Sequence, residues 1–281
     1  MSHAYTIEVL KAKGFGNKFI KFIKNNLSSK ARVIFNEELS EPFRTKRGVP
    51  QGDCLSPLLF ILGLNPLIIN IKNDKEINGY KLKSMERKIN AHADDLLLFA
   101  HKEEDINKML DWVKIYEDVS NAKLNFNKTE IITFGTEKLS QIKTKKETNK
   151  KVRYLGIKFN KKGVVNEIDE KLIEIINTLE RTKRFHQTFT GRLNSLKAYG
   201  WSKLSYNATF MTISKEQQKT MEKINAWFLY SNEDKFEINK KYTSKISKER
   251  RKRNKKKGGI KLYEPLEKFS AIQSTRYDPN N

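Results

Sequence analysis

Two aspartates stand side by side in Lys88–Ala100, KINAHADDLLLFA, where the apolar runs on either side would otherwise continue as a strand. Adjacent carboxylates repel each other and resist desolvation, so Asp94 and Asp95 need either solvent or a cation. At the tip of a strand–turn–strand they would face outward together on a firm support. There they would offer the oxygen ligands that Mg²⁺ takes, one or two carboxylates with substrate phosphates completing the shell. Two such ions can activate an attacking hydroxyl and stabilise an in-line displacement at phosphorus. The plainer alternative is a solvated corner, and the pair by itself does not decide between the two. His92 would share a strand face with Asp94. No third ligand stands nearby, so its ring reads as filling space rather than binding a transition metal.

The rest of the chain favours a polyanionic partner. Its 281 residues hold 56 Lys and Arg against 33 Asp and Glu, a net charge of +23. Nucleic acid fits that balance first and an anionic membrane surface second. One cysteine, Cys54, excludes a disulfide framework and a Cys-rich zinc module, and fits a reducing compartment. The opening MSHAYTIEVLKAKGFG carries charge early and has no apolar core segment, so it does not read as a signal peptide. The longest apolar run, from Leu55, is shorter than a membrane span and is broken by Asn65 and Pro66. We expect an intracellular protein, with no membrane partner. Lys235–Lys257 holds twelve Lys and Arg against two Glu. Its run KERRKRNKKK suits phosphate binding or nuclear import, which places the nucleus ahead of the cytoplasm.

Several elements must position the aspartates. Spacing predicts two short helices between Tyr5 and Leu27, then a hairpin in ARVIFNEELSEPFRTKRG. VPQGDCLSP is turn-rich, with Ser56 as cap and Pro57 at the first helical position of an apolar helix pair. Lys102–Asn121 reads as an amphipathic helix with Ile106, Leu110, Val113 and Tyr116 along one stripe. KLNFNKTEIITFG reads as a turn and a strand, KLSQIKTKKETNKK as a loop, and VRYLGIKFNKKGVV as a hairpin turning at Lys162-Gly163. Beyond Asn166 the pattern is helical, and Trp112, Trp201 and Trp227 sit in helical stretches as core residues.

In these segments the chain resembles the reverse transcriptases of non-LTR (LINE-type) retrotransposons. AHADDLLLF matches the family's paired-aspartate motif, with His92 in the place of the usual aromatic residue. RGVPQGDCLSPLLFILGLNPL resembles the family segment that opens a palm helix and meets template and incoming nucleotide. KLNFNKTEIITFG resembles the segment whose lysine lies near the nucleotide, and VRYLGIKF the hairpin that grips the primer end. The four stand in the family's order and spacing. GRLNSLKAYGWSKLSYNATF and KKGGIKLYEPLEKFSAIQ resemble its thumb and the segment after it.

The resemblance implies an α+β fold. A partial right-hand polymerase palm with a remnant of fingers would span 1–160, a helical thumb 161–232 and a basic segment 233–281. It implies an RNA-directed DNA polymerase domain using Mg²⁺, or Mn²⁺, with RNA template, DNA primer and deoxynucleoside triphosphates as partners. Asp94 and Asp95 would hold metal, and Lys128 would act as general acid toward pyrophosphate or as a charge clamp. Arg47, Gly48, Gln51 and Gly52 would face nucleotide and template, since Gly permits close approach and Gln both donates and accepts. Tyr154, Leu155 and Gly156 would form the primer grip. Taken singly, each has a blander reading: a turn before a helix, a solvated lysine, an exposed arginine, a hairpin core.

The family also needs an aspartate on a strand before the first helix, and no Asp precedes Asp53 here. The chain is therefore expected to be a fragment, inactive or nearly so alone, with the missing N-terminal part of the same element as a possible partner. A non-catalytic nucleic-acid-binding remnant and a group II intron maturase-like protein stay open as alternatives.

Overall fold

The computed structural model describes residues 1–50, 52–134, 151–185 and 187–246. Gln51, most of the polar stretch from Lys138, and the basic run KERRKRNKKK with the segment after it lie outside these residues. The chain divides into two compact units, Met1–Asn149 and Lys150–Asn281.

In the first unit, α1 (His3–Ala12) starts where Ser2 Oγ accepts from Tyr5 N. Helix α2 (Asn17–Leu27) follows the Gly14–Gly16 break and buries Ile20, Ile23 and Leu27. An arm comes next, in which β1 (Lys30–Ala31) pairs with β4 (Phe43–Arg44) and β2 (Ile34–Phe35) with β3 (Glu38–Leu39). Its turn residues Asn36 and Glu37 both have positive φ, the backbone twist of a tight hairpin.

Helix α3 (Ser56–Asn73) corrects one expectation. The sequence pattern predicts a helix pair broken at Asn65 and Pro66, but one continuous helix forms with Pro66 inside it. Proline costs about 3 kcal/mol in a helix interior. Burial of Leu64 and Leu67 beside it, and of Ile71 a turn later, outweighs that. Leu55 is the N-cap residue and Ser56 the first helical one, its hydroxyl donating to Pro50 O at 2.6 Å. Hairpins β5–β6 (Tyr80–Leu82, Met85–Arg87) and β7–β8 (Ile89–His92, Asp95–Leu98) come next. Helix α4 (Glu103–Ser120) then buries Met109 and Val113, with Ile106, Leu110 and Tyr116 half-buried. One core joins Leu64, Leu67 and Ile71 of α3 to Ile89 of β7 and Met109 of α4. The strand expected after the Asn125–Lys128 turn is reduced to a single bridge at Ile131.

The second unit opens with the antiparallel sheet β9 (Val152–Tyr154), β10 (Ile157–Asn160) and β11 (Gly163–Val164). The segment thus turns twice, first at Leu155-Gly156 and then at Lys161-Lys162, rather than once at Lys162-Gly163 as its turn residues suggest. Ile157 packs into a core built by α5 (Ile168–Lys183), α6 (Phe189–Ser195) and α8 (Lys215–Tyr230). A π-helical turn Leu196–Trp201 and α7 (Ser202–Ser205) run between α6 and α8. Trp201 and Trp227 are fully buried, and Trp112 in the first unit is half-buried, as helical core residues should be.

That core holds a charge. Lys183 is buried, donates to Trp227 O at 2.7 Å, and lies 4.3 Å from the Trp227 ring centre. Burial, helped by Arg192, lowers its pKa to about 8. The folded state therefore releases this proton near pH 8, while the unfolded chain keeps it to about 10.5. The destabilising contribution is complete below pH 8 and fades as pH rises from 8 to 10.5. Urea unfolding across that range should show stability rising more steeply in the unaltered chain than in Lys183→Met. Parallel curves for the two proteins would contradict the assignment.

Candidate nucleotidyl-transfer site

The aspartates stand at the bend of the β7–β8 hairpin. Its register pairs Ile89 with Leu98, Asn90 with Leu97, Ala91 with Leu96 and His92 with Asp95. Ile89 is buried and Leu96 and Leu98 pack against the same core, so one end of the hairpin is anchored. At the other end Ala93 and Asp94 form the two-residue turn. Ala93 has φ +52°, a conformation that favours glycine and costs an L-residue about 1–2 kcal/mol. Asp94 is thus a turn residue and only Asp95 a strand residue. His92 sits across from Asp95 rather than beside Asp94. Both carboxylates are exposed, and neither has an ion-pair partner among the described residues.

The Arg47–Gly52 segment is held from the chain's first residues. Ser2 pairs with Arg47 in an isolated bridge, and Gly48 N donates to Met1 O at 2.9 Å. The His3 ring is hydrogen-bonded to Gly48 O at 2.9 Å. Gly48 and Gly52 have φ of +76° and +94°, so both positions need glycine's freedom. Past the bend, Asp53 accepts from Leu55 N at 2.9 Å and from Asn26 Nδ2 at 3.2 Å, which fixes the approach to α3. The Arg47 side chain is exposed. Gln51 lies outside the described residues.

Lys128 closes a turn in which its own N–H and that of Thr129 donate to Asn125 O, at 3.0 and 3.1 Å. Its side chain is exposed. Half-buried Leu124 ties the turn to the α3–α4 core, and its N–H donates to Glu117 of α4.

Arg47, Gly48, Gly52, Asp94, Asp95 and Lys128 all belong to the first unit. Helix α3 leaves the Gly52–Asp53 bend and packs on β7 and α4, so it links the bend to the hairpin. Among the described residues, no hydrogen bond or ion pair joins Arg47, Gly52 or Lys128 to either aspartate. Two exposed carboxylates form a hard oxygen donor set that fits Mg²⁺ sharing its shell with phosphates and water. No group of three or more His, Cys, Asp or Glu side chains suited to a metal ion occurs among the described residues.

Tyr154, Leu155 and Gly156 lie in the second unit. Leu155 at φ +46° and Gly156 at +81° are the two central residues of the β9–β10 turn. What holds them comes from far along the chain, with no signal in the local sequence. Tyr206 Oη donates to Leu155 O at 2.5 Å, and its ring stands 3.5 Å from where a Gly156 Cβ would lie. Phe210 packs edge-on against that ring at 5.4 Å.

A family model described as reverse transcriptase (RNA-dependent DNA polymerase) matches residues 1–159, more than half of the chain. The chain belongs to the reverse transcriptase family. Its relatives are proteins of non-LTR retrotransposons. It is 28% identical over 164 residues to the Transposon TX1 uncharacterized 149 kDa protein of Xenopus laevis, covering 56% of this chain and 12% of the relative. It is 31% identical over 129 residues to the Retrovirus-related Pol polyprotein from type-2 retrotransposable element R2DM of Drosophila melanogaster, covering 46% and 12%. With the type-1 retrotransposable element R2 polyprotein of Popillia japonica it shares 23% over 195 residues, covering 64% and 32%. The chain thus spans a third or less of each of these proteins. The family implies a polymerase palm, and the helices and small sheets of the first unit are consistent with it.

A leucine in the left-handed region is a local cost that Asn would relieve, because Asn-Gly is the preferred pair for such a turn. Leu155→Asn should raise the unfolding free energy of the second unit by up to about 1 kcal/mol. Tyr206→Phe should lower it by about 1 kcal/mol through removal of the hydrogen bond to Leu155. Denaturant melts of both variants check the pair of signs.

Proposed function

We propose that this chain carries the nucleotidyl-transfer part of a non-LTR retrotransposon reverse transcriptase, with a palm and finger remnant over 1–160. Residues 161–232 would be its helical thumb, and 233–281 a basic segment that adds phosphate contacts. The observation that carries the reading is the exposed Asp94–Asp95 pair on an anchored hairpin, in a chain of the family with net charge +23. Its template would be RNA, its primer DNA, and its substrates deoxynucleoside triphosphates.

The bond formed joins the primer 3′-oxygen to the α-phosphorus, and the bond broken releases pyrophosphate. Bound divalent cations would supply a lowered pKa for the attacking hydroxyl and charge neutralisation at phosphorus. Asp94 and Asp95 would hold those ions, with the triphosphate completing the shell. Lys128 would hand a proton to the departing pyrophosphate, or offset its charge. Gly52, with Gln51, would let the nascent base pair approach the backbone closely, because no side chain intervenes at the glycine. Arg47 and Gly48 would sit against template or phosphate. The Tyr154–Gly156 turn would grip the primer end, with Tyr206 holding it in shape.

The test is RNA-templated incorporation of labelled deoxynucleotides with Mg²⁺ or Mn²⁺ by the chain joined to the aspartate-bearing segment that the family places before the first helix, set beside binding of a primer–template. Asp94→Asn should reduce synthesis at least about 100-fold, the scale of removing one preorganised electrostatic interaction. The same change should leave binding unaltered or slightly tighter, since it removes a negative charge. Synthesis unaffected by Asp94→Asn would overturn the assignment. Salt-sensitive RNA binding with no synthesis under any metal would favour a non-catalytic binding remnant.

A further inference from the structure

Helix α2 has two apolar faces, and the described residues cover one of them. Ile20, Ile23 and Leu27 are buried in a core with Leu10 and Leu59. Phe19, Phe22 and Asn26 each precede one of those core residues by a single position. The 3.6-residue turn therefore sets them on the adjoining line of the helix, and Lys18 and Lys21 on the line beyond. Phe22 is 55% exposed and Phe19 37%, a large apolar area left in water. Phe15, just before the helix, already stacks on Phe19, with ring centres 5.3 Å apart and planes 24° apart. At the other end of the line, about 10 Å along the axis from Phe19, Asn26 Nδ2 donates to Asp53 at the Gly52–Asp53 bend.

We propose that this line is a stacking platform for single-stranded nucleic acid, leading a strand along α2 toward the bend. It rests on the polymerase reading for its direction, and on charge for its occupant. α2 carries Lys18, Lys21 and Lys24 and no acid, and all three lysines are exposed. Every base offers a π face to an exposed ring whatever the sequence, while the phosphates between bases meet the flanking lysines. Asp53, at the end of the line, has both carboxylate oxygens engaged by N–H donors, so its charge is partly offset there.

The experiment uses the full chain and a short fluorescent single-stranded RNA, with affinity read by anisotropy over a salt series. Phe19→Leu/Phe22→Leu keeps the apolar bulk and removes the aromatic faces. It should weaken binding about tenfold or more, with the slope of log affinity against log salt unchanged. Lys18→Gln/Lys21→Gln should reduce that slope by about 1.4, roughly 0.7 for each single-strand phosphate that a lysine no longer neutralises. RNA carrying 5-iodouracil should crosslink to the peptide spanning Phe15–Phe22. Unchanged affinity in the Leu double variant, or crosslinks that all fall elsewhere, would overturn the proposal. So would self-association of the unaltered chain that the Leu variant abolishes, since a second copy would then be the occupant. Asp94→Asn separates the two readings. If synthesis fails everywhere while binding still depends on the rings, the platform stands without the polymerase. If synthesis proceeds and the Leu variant is indistinguishable, the platform alone falls.

Discussion

Repulsion between two neighbouring carboxylates is the constraint around which the first unit is arranged. Such a pair is stable in solvent and expensive in a core, so it must sit at a bend. A bend free in solvent would not hold position, and the β7–β8 hairpin answers this with burial at its far end. Ile89 enters the core that α3 and α4 share, and four paired positions carry that anchorage out to Asp94 and Asp95. The strained Ala93 lies where the chain must reverse within two residues. Strain at such a point persists because the flanking pairs over-determine it.

The same division between buried support and exposed chemistry recurs elsewhere. Gly48 and Gly52 adopt conformations open to glycine, and bonds from Met1 and His3, with the Ser2–Arg47 bridge, keep Gly48 in place. In the second unit Leu155 is bent against its local preference beside Gly156, and Tyr206 holds the turn from a distant stretch of chain. In each case the exposed group is local in sequence and its support is not.

How far the sequence can be read follows from that. Helices α1, α2, α4, α5 and α8 and the aspartate hairpin are legible by period and turn chemistry, which depend on near neighbours. The second hairpin turns elsewhere than its residues suggest because Lys162-Gly163 is a strong turn signal, whereas Leu155-Gly156 is a weak one that Tyr206 makes tenable. The expected break at Asn65 and Pro66 is absent for the complementary reason: proline's local cost is outweighed by burial of Leu64, Leu67 and Ile71, which involves residues far along the chain. The outward line of Phe19 and Phe22 is not legible because helical periodicity marks apolar residues without saying which of them meet a partner.

The sequence alone determined the chemistry on offer and its family. Adjacent carboxylates, a glycine-bearing bend, a lysine turn and a net charge of +23 are properties of residues and their spacing. Tertiary structure decided that Asp94 occupies the turn while Asp95 begins the strand, that α3 runs through its proline, and that Tyr206 backs the Leu155–Gly156 bend. It also decided that only one apolar face of α2 is covered among the described residues. These outcomes depend on side chains from separate segments competing for the same buried volume and hydrogen-bond partners, and that competition has no signature in local spacing.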